Sequence, residues 1–390
     1  MKKYPWITFV IDIRKLPMTS WIQLGECVSK SEHIRRTPLL PNVSEELHKI
    51  YLTKGVHATT AIEGNTLSEQ QVRDIVDGKS RLPESQKYLE QEVQNILDAC
   101  NDIGKAIAAN KFGPVTVKLL CNFNRRVLDD VPVAEGAVPG VIREHAVGVG
   151  TYKPPDGAAP RELLKKFCDW FNEFKTEDAQ IEPVAMSIIK AITAHLHIAW
   201  IHPFGDGNGR TARLLEFAIL LNSGVPSPVA HLLSNHYNAT RNEYYRLLDR
   251  ASKTGDVTEF FSYAICGLRD GLKEALDFLH MQVFSICWEH YVYEYFRPLG
   301  PSENLKRQRN LLIEISRCKN PVTRAELQKL SSEIYLKAQK TKNSFTRDLN
   351  ALIKRGLVVE KSGKYIADIS PILHHLPFSR KRSDKSPLND

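Results

Sequence analysis

Apolar side chains recur at intervals of three and four residues along most of this chain, which is the spacing of one face of an α-helix. The pattern predicts a helix from Ser44 to about Ile62 and a short helix that opens at the capping-box sequence of Ser68. Further helical patterns cover residues 89–107, 116–128, 163–174, 183–201 and 214–221. The predicted fold class is therefore mainly α.

Two segments interrupt the helical pattern. Residues 1–43 hold four prolines and little sustained periodicity, which indicates an extended arm packed over a helical body. Residues 131–160 are rich in glycine and proline around two short β-branched pieces, Val141-Ile142 and Val147-Gly148-Val149. This second segment predicts a small β-hairpin.

A separate C-terminal unit follows the linker Pro298–Ser302. Its pattern predicts three helices, over 305–318, 323–330 and 342–354, and then a two-stranded ribbon over 357–367. Three helices with a ribbon resemble a winged helix-turn-helix. The predicted division of the chain is an N-terminal arm and helical region at 1–110, a core at 111–297, a winged helix-turn-helix at 303–372 and a disordered tail at 377–390.

The composition is that of an ordinary globular protein, with 42% hydrophobic and 25% charged residues among 390. No uninterrupted apolar stretch approaches the length of about eighteen residues that spans a membrane, and the N-terminus does not resemble a signal peptide. The seven cysteines are scattered without a Cys-x-x-Cys pair, which argues against structural zinc. These features favour a cytoplasmic protein with reduced thiols and no membrane association.

Positive charge is concentrated toward the C-terminus, where residues 301–390 hold 19 Lys and Arg against 9 Asp and Glu. The predicted third helix of this region adds side chains that suit a DNA groove, namely Lys342, Asn343, Ser344, Thr346, Arg347 and Asn350. DNA binding through residues 303–372 is therefore one hypothesis. A dimerisation or docking module with an ordinary solvated helix is the equal alternative.

The strongest chemical pattern is the segment from His202 to Arg213, which reads HPFGDGNGRTAR. Pro203 disfavours the α conformation at His202, so the preceding helix should end there with the imidazole at the mouth of a loop. The glycines around Asp206 permit backbone angles that turn successive N–H groups toward one anion. A helix that opens at Arg210 adds its positive N-terminal dipole.

The charged side chains of this segment suit a polyphosphate. Arg210 and Arg213 are three residues apart and share one helix face. Asp206 offers the hard oxygen that Mg²⁺ prefers when the ion is shared with phosphate oxygens, and His202 is a candidate general base. A Rossmann loop would need a preceding strand, and a P-loop would need Lys followed by Ser or Thr. A merely structural loop would not need these side chains together.

The segment resembles the Fic family signature, HxFx(D/E)GNGRxxR, at every specified position. The resemblance implies a helical bundle with a β-hairpin flap, and an enzyme that moves AMP from ATP to a Tyr, Thr or Ser hydroxyl of a protein, the enzyme itself included. Gly209 stands where the kinase-like branch has lysine, which favours AMP transfer. The resemblance implies a general base at His202, Mg²⁺ at Asp206, and nucleotide binding by Gly207, Asn208, Gly209, Arg210, Thr211, Ala212 and Arg213.

An upstream segment, Thr59-Thr60-Ala61-Ile62-Glu63-Gly64, resembles the family's inhibitory motif, (S/T)xxxE(G/N). In such relatives the glutamate pairs with the second arginine of the signature, here Arg213. That pairing would deny the guanidinium to the γ-phosphate of ATP, within one chain or across a homodimer. The alternative interpretation is an ordinary helix end capped by Gly64, with a solvated Glu63.

Two further features gain meaning from the resemblance. The hairpin at 131–160 resembles the flap that aligns a target segment through backbone pairing; a surface hairpin without function is the alternative. Relatives often place an aromatic side chain against adenine after the signature helix, which suggests Tyr237. His195 and His197 lie two apart on a predicted helix, point away from each other and are expected to be packing or hydrogen-bonded residues rather than metal ligands.

Two other functions stay open at this point. The chain could be chiefly a DNA-binding regulator whose Fic unit is repressed. It could also remove AMP from a protein, because some relatives use the inhibitory glutamate to orient water for hydrolysis.

Overall fold

The computed structural model describes residues 4–150, 152–174, 181–318, 320–337 and 342–373. The chain divides into two compact units, residues 1–276 and 277–390. The α-helices that begin in the first unit are α1 (Met18–Arg36), α2 (Pro41–Ala61), α3 (Glu69–Val76), α4 (Lys87–Ala108), α5 (Val117–Val127), α6 (Ala159–Glu173), α7 (Pro183–Ile201), α8 (Asn208–Asn222), α9 (Leu232–Ala239), α10 (Arg241–Thr254) and α11 (Thr258–Phe296).

Helix α7 is the central element of the first unit. Pro183 suits its first turn, and the Glu182 carboxylate accepts a hydrogen bond from the Ala185 N–H at 2.8 Å. Most of its side chains are buried, against α6, α8 and α1 among others. A helix that is apolar on all sides is stable in water only when it is covered on all sides. Among the described helices, α7 is the one whose length and apolar composition would suit a membrane span, yet 72% of that segment is buried within the protein.

His195 and His197 are fully buried in α7 and have separate partners. His195 Nε2 lies 2.9 Å from the hydroxyl of Tyr244. His197 lies between two backbone carbonyls, with its nitrogens 2.8 Å from Thr193 O and 2.9 Å from Thr8 O. The expectation of packing, hydrogen-bonded histidines is confirmed.

The prediction of an extended arm over residues 1–43 is wrong in its middle part, where Met18–Arg36 form α1. Pro17 and Pro38 flank this helix and do not interrupt it. Because two of its buried positions are serines, a count of apolar residues misses the buried face. The buried positions of α1 are Ser20, Leu24, Cys27, Ser31 and Ile34.

The strand pairing predicted within residues 131–160 is also wrong. Ile142 pairs with Phe204, in the loop after α7, instead of with residues 147–149. Val149 and Tyr152 do pair with each other, with N···O distances of 3.0 and 2.9 Å, so this part of the segment is a tight turn. The β-branched residues of this segment favour strand pairing, but only the tertiary fold brings Phe204 close to Ile142.

The second unit follows the predicted order of three helices and a ribbon, with one short strand and two short helices that were not predicted. The capping box of Thr323 and Glu326 is present, and the sheet has the antiparallel order β1-β3-β2. The elements are α12 (Glu303–Ser316), β1 (Val322–Thr323), α13 (Arg324–Leu330), α14 (Ser332–Lys337), α15 (Lys342–Lys354), β2 (Val358–Lys361), β3 (Lys364–Ala367) and α16 (Ser370–Leu373).

The boundary between the units differs from the predicted linker at Pro298–Ser302. Trp288, Val292 and Phe296 of α11 belong to the apolar core of the second unit. The last turns of α11 therefore belong to that unit, and the division falls between residues 276 and 277. The predicted disordered tail, 377–390, lies outside the described residues.

A buried ion pair joins α12 to α15 in the second unit. Arg307 Nε lies 3.0 Å from Asp348 Oδ2, and the two side chains are 8% and 4% exposed. We expect Asp348→Ala to lower the free energy of unfolding of this unit by about 3–5 kcal/mol, because Arg307 would remain buried without a counter-charge. Hydrogen exchange of residues 303–367 in increasing urea measures this loss.

Glu314→Ala is the matched control, since it removes a solvent-accessible contact between Glu314, on the same helix α12, and Arg317, which follows this helix. It should cost less than about 1 kcal/mol. Equal losses in the two variants would contradict the assigned importance of the buried pair.

Candidate active site

Helix α7 ends because His202 adopts a left-handed conformation, with φ 48° and ψ 57°. The following Pro203 disfavours the right-handed helix at this position. The left-handed conformation costs a residue with a side chain roughly 1–2 kcal/mol. Arg143 holds the strained loop, since its Nε donates to the His202 carbonyl at 2.7 Å and its backbone N–H donates to the Pro203 carbonyl at 3.0 Å.

The remaining guanidinium N–H groups of Arg143 tie the loop to the segment that precedes α6. They donate to the carbonyls of His145 and Pro155 at 2.8 and 2.7 Å. Tyr152 provides a second tie, because its hydroxyl donates to the Trp200 carbonyl at 2.6 Å. Arg143 falls within residues 131–160, the predicted flap, and in the structure it positions His202.

The glycine-rich loop enters α8 through Gly207, whose φ of 73° favours glycine. Asn208 is 3% exposed and uses its side chain to shape the loop. Its Oδ1 accepts from the Phe204 N–H at 2.9 Å, and its Nδ2 donates to the Phe204 carbonyl at 2.8 Å. The Asn208 side chain is therefore occupied, and the predicted contact with a phosphate falls to its backbone.

Arg210 is held between two carboxylates. Its guanidinium lies 3.2 Å from Asp206 Oδ1 and 3.2 Å from Glu92 Oε1, with only 5% of the arginine side chain exposed. Glu92 lies on α4, more than a hundred residues earlier in the chain, and no sequence pattern pointed to it. Asp206 Oδ2 also accepts from the Ala134 N–H at 3.1 Å.

Arg213 forms an ion pair with Glu63 of the same chain. Its guanidinium is 1% exposed and also donates to the Thr59 carbonyl at 3.1 Å. The pairing expected from the inhibitory motif is therefore present. Glu63 is thus paired with Arg213 while 26% of its side chain stays exposed, and Gly64 closes the helix end with φ 105°, as the alternative expected.

The electrostatics of this pair favour the charged forms. Burial alone would raise the pKa of Glu63, but the attraction and hydrogen bond of Arg213 outweigh burial and lower it. Burial alone would lower the pKa of Arg213, and the Glu63 carboxylate more than compensates. The contact is therefore a true ion pair at neutral pH.

His202 has the opposite preference. Burial lowers the pKa of its imidazole to about 4, and the positive charge of Arg143 acts in the same direction. A hydrogen bond to the backbone of Ala199 and the charges of Glu63 and Asp206 act against this shift. His202 is consequently neutral at pH 7 and has a ring nitrogen that can accept a proton.

His202, Gly209 and Arg213 line one cavity of about 510 Å³, together with Glu63. This volume is within the range of small-molecule sites. The other walls come from Val149, Gly150 and Tyr152, the end of α7 and the helix α10. Among the lining side chains of these walls are Tyr152, Trp200, Tyr244, Tyr245, Leu248, Asp249 and Ser252.

The structure does not place Tyr237 at this cavity, so its assignment to the nucleotide is wrong. Its side chain is fully buried, and its hydroxyl donates to Glu216 at 2.9 Å. Its ring packs against Tyr244 at a centroid distance of 4.8 Å. Helix α9 turns Tyr237 into the core, and Tyr244 and Tyr245 of α10 are the tyrosines that reach the cavity from this region.

Thr211 and Ala212 also differ from the expectation for nucleotide-binding residues. Their side chains are 0% and 1% exposed and lie within the packing of α8. Asn124 of α5 lies 3.3 Å from the Thr211 hydroxyl and donates to the Asp206 carbonyl at 2.9 Å. The side chains of Thr211, Ala212 and Asn124 therefore pack beneath the loop and support it.

Gly209 lies directly against the Glu63 carboxylate. A Cβ atom at this position would collide with Glu63 Oε1 and would come within 3.1 Å of Arg213 Nη1. The Glu63 carboxylate therefore occupies the first turn of α8, which is where the helix dipole and free N–H groups attract an anion. Glu63 and a bound phosphate would compete for this place.

Residues 114–220 match the Fic/DOC family. The chain contains a Fic/DOC family domain. The match begins just before α5, ends near the end of α8 and includes the whole segment from His202 to Arg213. Glu63 and α2 lie upstream of the matched residues.

Curated relatives of this chain are named adenylyltransferases. It is 32% identical over 260 residues to protein adenylyltransferase fic-1 of Caenorhabditis elegans, which covers 65% of this chain and 47% of that protein. It is 33% identical over 208 residues to protein adenylyltransferase Fic of Culex quinquefasciatus, which covers 53% of this chain and 38% of that protein. The chain thus spans about half the length, or less, of these curated relatives.

Solved structures of Fic proteins share the fold. A fragment of Fic-1 from C. elegans aligns with a TM-score of 0.54 at 26% identity, covering 68% of this chain and 74% of the fragment. A Fic family protein from Desulfovibrio desulfuricans aligns with a TM-score of 0.52 at 21% identity, covering 89% of this chain and 96% of that one. At 21% identity, the similarity to the D. desulfuricans protein supports a shared fold only. The predicted Fic-type helical fold is confirmed.

We expect an NMR titration of the free protein to show that the His202 imidazole protonates near pH 4, because burial and Arg143 disfavour the imidazolium. An unfolded chain protonates histidine near pH 6.5. The folded protein should therefore lose stability, relative to His202→Ala, as the pH falls from about 6.5 toward 4, by about 2 kcal/mol at pH 4.5. The resonance that disappears in His202→Ala identifies the residue. Protonation above pH 6, with parallel pH dependence of both stabilities, would contradict the assignment.

Proposed function

We propose that this protein transfers AMP from ATP to a hydroxyl group of a target protein and releases pyrophosphate. The observation that carries the proposal is the convergence of His202, Gly209 and Arg213 on one cavity, with a neutral imidazole beside the N-terminus of α8. The names of the curated relatives support this reaction class.

In the proposed step, the oxygen of a Tyr, Thr or Ser hydroxyl attacks the α-phosphorus of ATP. His202 accepts the hydroxyl proton as general base, and Arg143 holds the backbone of this residue through its carbonyl. The bond between the α-phosphorus and the oxygen that bridges to the β-phosphate breaks, and pyrophosphate leaves with that electron pair. Arg210 and Arg213 offset charge on the β- and γ-phosphates, and the N–H groups of residues 207–209 bind phosphate oxygens.

The residues at the loop fit a magnesium ion that is shared with the substrate. The Asp206 side chain is 26% exposed and belongs to the loop between His202 and Gly209, which line the cavity. Proteins commonly hold Mg²⁺ with one or two carboxylates, phosphate oxygens and water. Within the described residues, no group of three or more His, Cys, Asp or Glu is placed to hold a metal. Asp206 would thus hold the ion together with ATP phosphates, where the ion would neutralise phosphate charge.

We also propose that Glu63 inhibits the enzyme from within the same chain. Its carboxylate lies against Gly209 and is paired with Arg213. The γ-phosphate would need the same guanidinium, so ATP would bind without the alignment that the transfer requires. Removal of the carboxylate should free both the arginine and the first turn of α8.

Incubation with ATP labelled at the α- or the γ-phosphate tests both proposals. We expect protein labelling from the α position only, rising about 10- to 100-fold in Glu63→Gly, because a charge-assisted pair of roughly 1.5–3 kcal/mol no longer competes. His202→Ala in the Glu63→Gly background should reduce labelling by at least about 100-fold. Glu84→Gly, which removes an exposed carboxylate elsewhere, is the control and should behave as wild type.

Other outcomes of this assay point to other functions. Label from the γ position would exclude AMP transfer in favour of a kinase. Faster loss of AMP from prelabelled protein with wild type than with Glu63→Gly would indicate a hydrolase that uses Glu63 to orient water.

The second unit supports an additional proposal, that residues 303–372 form a winged helix-turn-helix and bind DNA through α15. Asn343, Arg347 and Asn350 are exposed and lie four and three residues apart, on one face of this helix. Arginine and asparagine are the side chains that pair with guanine and adenine in the major groove. Ser344 and Thr346 are partly buried, and the side chain of Lys342 lies outside the described residues.

We expect Arg347→Ala to weaken binding of a fluorescent DNA duplex at least about fivefold, and the affinity of wild type to fall steeply with salt. Lys306→Ala, an exposed basic residue of α12, is the control and should change little. Absence of binding at 50 mM salt would favour the docking-module interpretation.

A further inference from the structure

The end of α2, two residues before Glu63, is held by the side chain of Arg241 from α10. One guanidinium nitrogen donates to the Ala61 carbonyl at 3.3 Å, and the other donates to the Ile62 carbonyl. The Tyr245 hydroxyl points at the same Ile62 oxygen from 3.4 Å. Two side chains of α10 therefore converge on the two residues that precede Glu63.

These contacts have a clear electrostatic reason. The last carbonyls of a helix lack partners within the helix and carry the negative end of its dipole, so a cation is favourable there. Arg241 itself begins α10, where a cation is slightly unfavourable because the helix N-terminus is positive. Its contribution is consequently to α2 and not to its own helix.

The position of the α2 end matters because the Glu63 carboxylate has little free space. It lies against Gly209 and is paired with Arg213, and the same arginine donates to the Thr59 carbonyl at 3.1 Å. The carboxylate can leave Arg213 more easily if the backbone of residues 61–63 also moves. Arg241 opposes that movement.

Helix α10 also connects this contact to the cavity. Tyr244 and Tyr245 line the cavity, and the guanidinium carbon of Arg241 lies 5.9 Å from the centre of the Tyr245 ring. One helix thus provides a wall of the proposed nucleotide site and the anchor of the proposed inhibitory segment.

We propose that Arg241 is a positioning residue that keeps Glu63 on Arg213 by binding the carbonyls at the end of α2. This proposal rests on the proposed function, because its consequence is regulation of AMP transfer. Arg241 is exposed on the protein surface, so the contact is accessible to solvent and its loss should give partial release.

The test uses the full chain and ATP labelled at the α-phosphate. Arg241→Ala should raise labelling about three- to tenfold over wild type, which is less than the rise in Glu63→Gly. Arg241→Lys keeps the charge but cannot donate to both carbonyls in a bidentate manner, so its labelling should lie between that of Arg241→Ala and that of wild type. Arg246→Ala is the matched control, since Arg246 lies on the same helix and pairs with the exposed Glu243; it should leave labelling unchanged.

A double variant separates positioning from a general structural role. In the Glu63→Gly background, Arg241→Ala should produce no further rise, because no inhibitory carboxylate remains to be positioned. Hydrogen exchange gives a readout that does not depend on activity. Amides of residues 62–65 should exchange faster in Arg241→Ala than in Arg246→Ala, and those of α7 should not change.

The possible failures are distinguishable. If Glu63→Gly yields no α-label, the proposed function fails, and hydrogen exchange alone decides whether Arg241 holds the end of α2. If Glu63→Gly is labelled but Arg241→Ala labels as wild type, or exchanges as Arg246→Ala does, the positioning role is excluded. A further rise in the double variant would also exclude it.

Discussion

A guanidinium group that is almost excluded from water needs a counter-charge, and this requirement at Arg213 organises the Fic domain. Leaving the group unpaired would cost several kcal/mol. In the structure Glu63 meets the requirement; in the proposed reaction a phosphate would meet it instead. A single buried cation with two competing anions makes one site suitable both for catalysis and for restraint of catalysis.

The other charged groups near Arg213 are also paired or kept neutral. Arg210 is paired with Glu92 and Asp206, so both arginines of the segment are neutralised in the absence of substrate. His202 differs, because burial and Arg143 keep its imidazole neutral. In the proposed reaction, a neutral imidazole would thus accept a proton beside two guanidinium groups that would bind phosphate.

Rigid support for these groups comes from parts of the chain that are distant in sequence. Arg143 holds the backbone at His202, Asn208 braces the loop from within, and Arg241 holds the end of the helix that precedes Glu63. The second unit has an apolar core of its own, which includes the end of α11.

Features that depend on neighbouring residues were determined by the sequence alone. The start of α7 at Pro183, the capping box at Thr323 and the helix stop before Pro203 all follow from local backbone chemistry. The twelve-residue segment from His202 also indicated its chemistry, because the residue types that suit a polyphosphate site lie close together in the sequence. The fold class and the proposed reaction therefore came from pattern and motif.

The tertiary structure decided every contact between residues far apart in the chain. Helix α1 was not predicted because its buried face contains serines. Whether a serine is buried depends on the residues that pack against it. Tyr237 and Tyr244 have the same chemistry, and only the packing of α9 and α10 sends one into the core and the other to the cavity. The positions of Glu92 and Arg143 depend likewise on partners that no local pattern contains. Sequence specifies which groups are able to interact, and packing decides which of them meet.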